Sequence, residues 1–228
     1  MMRKLYELAG ADENRRFSPY CWRIRMSLAH KGLAVNCLPW HFTEKEKIGF
    51  SGQERVPVLV DGEKTVSDSW EIAKYLETEY PDSPSLQLEN GEVFFIKFWT
   101  ETVLHPELMK LLVLDIYKGL AAKDQSYFRE SREKLLGKPL EEVVKGREER
   151  LPNLQKLLTP LRLTLKKQEY IAGETPGFSD YIVFGAFQWA RCISDFSLLT
   201  ADDPICGWRE KMLDLHDGLA GKAVGYTV

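Results

Sequence analysis

Phe17-Ser18-Pro19-Tyr20-Cys21-Trp22-Arg23-Ile24-Arg25-Met26-Ser27-Leu28-Ala29-His30-Lys31-Gly32 holds a helix start, a helix stop and a reactive group in one short run. Ser18 reads as an N-cap, because its side-chain oxygen accepts from an orphan backbone N–H of the first turn. Pro19 reads as the first helical residue, where a missing N–H costs nothing. Gly32 closes the helix from the left-handed C′ position, with His30 and Lys31 in the last turn. An ordinary capped helix carries the same signals, so the neighbouring chain decides what this one is for.

Upstream, Lys4 to Leu8 reads as a short strand, and downstream Ala34 to Trp40 reads as a second. A strand-helix-strand unit of this kind requires parallel pairing through a right-handed crossover. His41 to Arg55 is a polar connector or short helix. Asp61-Gly62, between Val56–Val60 and Lys64–Ser67, signals a hairpin, and Trp70, Ile72, Ala73 and Leu76 follow helical spacing behind the capping pair Asp68-Ser69. Strand, helix, strand, connector, hairpin and helix is a thioredoxin-like order.

Pro81 to Gly91 is a Pro/Ser/Gly-rich stretch of linker length, and the longer segments beyond it read as helix. The expected class is α+β: a thioredoxin-like domain over residues 1–80, a linker over 81–91, and an all-helical domain over 92–228. Pro106 is expected to interrupt or kink the helix that begins near Glu92. Leu108–Leu120, Ser126–Leu136 and Leu140–Leu165 read as further apolar helical stretches, the last with a solvated charged face at Arg147 to Arg150.

With 31 basic and 34 acidic side chains the net charge is −3, which argues against nucleic acid or anionic lipid as a partner. The first residues lack the apolar run of a signal peptide, and no window reaches the length of a membrane span. Cys21, Cys37, Cys192 and Cys206 share no repeated spacing, which fits a reduced, cytoplasmic setting. The four histidines form no ligand-spaced pair, and no Gly-rich phosphate loop is present, so neither a metal nor a nucleotide is expected.

Pro57, opening a hairpin strand, wants a sheet edge or a special bond; a cis Val56-Pro57 bond would leave the Val56 backbone free to pair with an extended peptide. Asp68 and Ser69 are a capping pair, or else a carboxylate and hydroxyl at a positive helix end that hold a small zwitterion. The Ser-Pro helix start, Val56-Pro57-Val58-Leu59, Asp68-Ser69 with Ile72, and Tyr75-Leu76-Glu77 together resemble the glutathione transferase superfamily, over nearly the whole chain. Phe17 to Arg23, Phe128 to Arg132 and Gly137 to Glu142 look like its fungal etherase-related class, which is similar to bacterial β-etherases that cleave lignin-derived aryl ethers. Pro176 to Ile182 looks like the family's buried helix start, with Gly177 in place of the usual Ser or Thr cap, so that Asp180 supplies half a capping box.

The resemblance implies glutathione as co-substrate, bound along Val56, Asp68 and Ser69 with its sulfur at Ser18. It also implies aromatic molecules bound between the domains, a homodimer, and a role in detoxifying wood-derived aromatics. Ser18 would donate to the glutathione thiolate, and would not itself be the nucleophile, since no partnered His or Asp is visible. Two function classes remain: a transferase acting on aromatic electrophiles, ethers or esters, and a glutathione-dependent carrier of aromatic compounds. A thiol-disulfide reductase is a third, with Ser18 and Cys21 as a Ser-x-x-Cys motif; Cys21, however, shares an arc with Ile24 and Leu28 and is expected to be buried. Arg25 falls in the apolar arc and is expected to pair across the domains with Glu101. Tyr20 and Trp22 are expected on one wall of an acceptor pocket, and some of Phe94, Phe95, Phe98, Trp99, Tyr117, Phe187 and Trp189 on the other. His105 is expected to serve the kink.

Overall fold

The computed structural model describes residues 2–227; Met1 and Val228, at the outer ends of the two expected domains, lie outside the described residues. Strands β1 (Arg3–Leu8), β2 (Val35–Trp40), β3 (Val58–Asp61) and β4 (Lys64–Ser67) form one sheet in the order β2-β1-β3-β4. β1 pairs parallel with β2, Leu5 opposite Cys37, and antiparallel with β3, Leu5 opposite Leu59. Edge position explains how β2 tolerates Pro39, which cannot donate to a ladder. Helix α1 (Pro19–His30) makes the crossover, and α2 (Ser69–Glu79) follows the hairpin. The hairpin turn is Gly62-Glu63 and not Asp61-Gly62, since Asp61 still pairs with Lys64 and Gly62 carries the positive φ of 60°.

The rest is helical: α3 (Glu92–Trp99), a π turn over Thr100–Leu104, α4 (His105–Gly119), α5 (Ala122–Leu136), α6 (Leu140–Val144), a 3₁₀ turn over Arg147–Arg150, α7 (Leu151–Leu157), α8 (Thr159–Leu165), α9 (Phe178–Ile193) and α10 (Pro204–Gly218). A thioredoxin-like unit followed by a helical unit is the expected class. Pro106 does not break its helix: the widened turn before it, with the His105 N–H donating to the Thr100 carbonyl, absorbs the missing bond and the ring's clash with the preceding turn. Leu140–Leu165 is not one helix; Gly146 at φ 64°, Pro152 and Pro160 divide it, each proline lying in the first turn of a new piece.

Helix α9 is the spine of the helical part, with nearly every residue buried. Its Asp180 carboxylate accepts from the backbone N–H groups of Ile171, Ala172 and Gly177 and from Trp208 Nε1 at 2.7–3.1 Å. Gly177 replaces a capping Ser or Thr for a steric reason: a Cβ there would lie 2.8 Å from the Ala172 Cβ. At Gly185 a Cβ would lie 2.5 Å from the Pro19 carbonyl oxygen, so this glycine sets how closely α1 and α9 cross.

The pairing expected of Arg25 belongs to Arg23. Arg23 is fully buried, its Nη1 lies 2.7 Å from Glu101 Oε1, and its guanidinium covers the Tyr20 ring at 4.5 Å. Arg25 instead approaches Glu7 of β1 at 3.6 Å and lies over Trp22. Two residues turn a helix by about 200°, so only one of the pair can look across at the helical unit; Gly185 opens the space beside Arg23. Burial of Glu7 pushes its carboxyl above the usual range, against the pull of Arg25 and Arg16. Arg23→Ala is expected to cost about 3–5 kcal/mol in urea unfolding, because it breaks a buried pair and leaves the half-buried Glu101 to Lys97 alone; Arg23→Met with Glu101→Leu recovers most of that loss. Equal losses in the single and double variants would show that the pair is not what matters.

Candidate active site

A cavity of about 610 Å³ opens between the sheet unit and the helices, and Ser18, Pro19 and Tyr20 at the start of α1 form part of its floor. The Ser18 Oγ accepts from the Cys21 N–H at 3.3 Å, and the Ser18 carbonyl accepts from the Trp22 N–H at 3.0 Å. Capping therefore uses a lone pair of the hydroxyl and leaves its O–H free to donate. Among the described residues the Tyr20 N–H has no partner, so the helix start offers a hydroxyl and an orphan amide side by side.

Val56 also lines the cavity, and its bond to Pro57 is cis. The β3 ladder begins only at Val58, and among the described residues the Val56 N–H and C=O have no hydrogen-bond partner. Asp68 and Ser69 stand outside the cavity wall at the start of α2, with Asp68 exposed and Ser69 buried. One Asp68 oxygen caps the helix, accepting from Trp70 and Glu71 N–H at 2.8 and 3.2 Å. Asp68 holds φ 72° and ψ 134°, a conformation that non-glycine residues rarely adopt. Its charge bears on both Tyr20 and Arg23.

Cys21 is 1% exposed, and burial, with the Glu7 charge adding to it, pushes its thiol up to about 12. It is absent from the cavity wall, so a Ser-x-x-Cys redox couple has no reachable, ionisable sulfur here. Trp22 is likewise not on the wall; its indole N–H donates to the Arg16 carbonyl at 2.8 Å inside the core.

Of the aromatic residues expected on the far wall, only Trp189 is there. Phe94, Phe95 and Phe98 are exposed along α3, and Phe187 packs on Trp208. The wall instead takes Trp40, the last residue of β2, Phe42 just beyond it, and Tyr127 and Phe128 from α5. Trp40-His41-Phe42 spans the carboxyl end of a parallel strand, the end at which α/β units place ligands, and that is the available signal. His105 serves the widened turn and also lines the cavity, edge-on to Tyr20 and Trp189 at 5.5 and 5.7 Å. Burial, with the Arg23 charge adding to it, pushes His105 down to about 3, so its ring is neutral near pH 7 and a weak base.

A description of the glutathione S-transferase N-terminal domain matches residues 14–84, and one of the C-terminal domain matches residues 92–202. The zeta-class glutathione S-transferase of Euphorbia esula is 40% identical over 72 residues, 28% of this chain and 31% of that protein. Glutathione S-transferase U2 of Arabidopsis thaliana is 21% identical over 168 residues, 72% of this chain and 64% of that one. The chain spans about a third of the length of most curated relatives it matches. In structure, glutathione transferase GSTFuA3 from Phanerochaete chrysosporium aligns with a TM-score of 0.84 at 22% identity, over 98% of both chains. A Ceriporiopsis subvermispora glutathione S-transferase solved in complex with glutathione aligns with a TM-score of 0.78 at 22% identity, over 95% of this chain and 97% of that one. With the two domain descriptions matched in order along one chain and the fold shared from end to end, the protein belongs to the glutathione S-transferase superfamily.

Proposed function

We propose that this protein is a glutathione transferase that activates the glutathione thiol at the start of α1 and attacks aromatic electrophiles, ethers or esters in the 610 Å³ cavity. The observation that carries the reading is the free Ser18 O–H beside the orphan Tyr20 N–H on the cavity floor. In this reading residues 1–80 bind glutathione and 92–228 supply the acceptor wall. The unpaired Val56 backbone takes the peptide as an added strand, and Asp68 and Ser69 hold its ammonium and carboxylate end. The expected reduced cytoplasmic setting goes with it, since all four cysteines are unpaired.

Chemically, the thiol proton leaves to solvent, the thiolate forms a carbon–sulfur bond, and the displaced group departs as an anion. For an aryl ether that anion is a phenolate, as the etherase-related resemblance would have it. A hydrogen bond to a charged group contributes about 1.5–3 kcal/mol and a helix end about 0.3–1. At 1.36 kcal/mol per unit, these lower the thiol pKa by roughly one to three units. The second reading, a glutathione-dependent carrier, rests on the cavity's size, which is ample for an aromatic molecule.

Ser18→Ala is expected to lower kcat/KM for glutathione-dependent conjugation about 10- to 100-fold near neutral pH. Unchanged kcat/KM would remove Ser18 from the mechanism, and a parent protein that binds aromatics with glutathione but never turns over would leave the carrier. The homodimer belongs to the same reading, the exposed Phe94, Phe95 and Phe98 of α3 being an apolar surface for a second copy. Analytical ultracentrifugation then gives twice the chain mass of 26.3 kDa, and a persistent monomer would contradict it.

A further inference from the structure

Five charged side chains line the cavity: Glu54, Arg55, Glu101, Lys110 and Arg132. Three have a counter-ion in place, Glu54 on Lys45 at 2.7 Å, Glu101 on Arg23 and Lys97 at 2.7 and 2.8 Å, and Lys110 on Glu107 at 2.5 Å. Arg55 and Arg132 have no carboxylate within ion-pair distance among the described residues. The cavity therefore carries two uncompensated positive charges, and they differ in kind. Arg55 is exposed on the connector next to Val56.

Arg132 is set into the aromatic wall. Its guanidinium lies 4.8 Å from the Phe128 ring centroid and 5.8 Å from that of Phe42, with Tyr127 beside them. Its one hydrogen bond is from Nη1 to the Ser131 Oγ at 3.0 Å. The nearby acids are taken, because Arg129, three residues earlier on α5, holds both Glu133 and Glu141. Burial disfavours the charge on Arg132 and Arg55 adds like-charge repulsion, yet a guanidinium keeps its proton at any physiological pH. A half-buried cation on the aromatic wall, with no counter-ion and most of its donors unused by the protein, is open to an anion that enters the cavity. A ligand that brings a planar anion and an aromatic ring satisfies both features, since the guanidinium fork matches a carboxylate bidentately and the rings supply stacking area.

We propose that the acceptor site selects aromatic carboxylates, with the carboxylate on Arg132 and the ring among Phe42, Tyr127 and Phe128. The proposal rests on the preceding reading for the position of glutathione at Ser18 and Val56. It deepens that reading from any aromatic electrophile to an anionic one.

The probes are 4-chloro-3,5-dinitrobenzoate and its methyl ester, from each of which the glutathione thiolate displaces chloride to form an aryl thioether. Arg132→Gln is expected to lower kcat/KM for the acid about tenfold or more relative to the ester, leaving KM for glutathione unchanged. Arg132→Lys, which keeps the charge and loses the fork, falls between. Equal losses for acid and ester would overturn the proposal. So would a raised KM for glutathione with an unchanged acid-to-ester ratio, which would assign Arg132 to the peptide's own carboxylate. If the parent turns over neither probe, the transferase reading fails, and calorimetric binding of 3,5-dinitrobenzoate against its methyl ester, with S-methylglutathione present, decides the proposal alone. A carboxylate preference lost in Arg132→Gln supports it, and no preference in the parent overturns it.

Discussion

The ion pair between Arg23 and Glu101 is the constraint from which the site's geometry follows. A guanidinium with no exposed surface is costly to bury without a carboxylate, and the one it uses belongs to the π turn of the helical unit. Holding Arg23 there fixes α1 along α9, where Gly185 permits backbone contact with Pro19. It also fixes Tyr20, which lies under the guanidinium, and through Tyr20 the edge-on ring of His105. Ser18 stands one turn before Arg23, so the interaction that joins the two units also aims the helix start into the cavity between them.

The proposed double use of the Ser18 hydroxyl, as cap and as donor to a thiolate, looks like a conflict but is none. The cap draws on a lone pair, and thiolate stabilisation draws on the proton. Pro19 contributes by lacking an N–H, so the first turn needs fewer partners, and among the described residues the Tyr20 amide is left without one. The site keeps its remaining sulfur out of the chemistry, because Cys21 lies beneath the same turn with its thiol pushed up to about 12. His105, pushed down to about 3, is neutral as well, through burial beside the fixed positive charge of Arg23. A neutral His105 ring and a positive helix end on the floor favour a thiolate over any competing ionisation.

Local signals in the sequence are legible where the chain satisfies its own backbone: the Ser18-Pro19 start, the Gly32 stop, the half capping box at Asp180, and the parallel unit around β1. What could not be read depends on direction. Arg23 and Arg25 differ only in which neighbour each faces, and that was settled by a glycine far along the chain, Gly185. The aromatic wall is illegible for a similar reason: Phe94, Phe95 and Phe98 look like core by composition, yet α3 turns them outward, whereas Phe42 and Phe128 meet across the two units. The widened turn before Pro106 let one helix pass where sequence rules expect an interruption, and it carried His105 and Glu101 to the cavity.

The central claim, that the start of α1 stabilises a thiolate, is tested most directly by spectrophotometric titration of the glutathione thiol in its complex with the protein. The account predicts a midpoint roughly one to three units below the free thiol value of about 8.5. A bound thiol that titrates at the free value would contradict it.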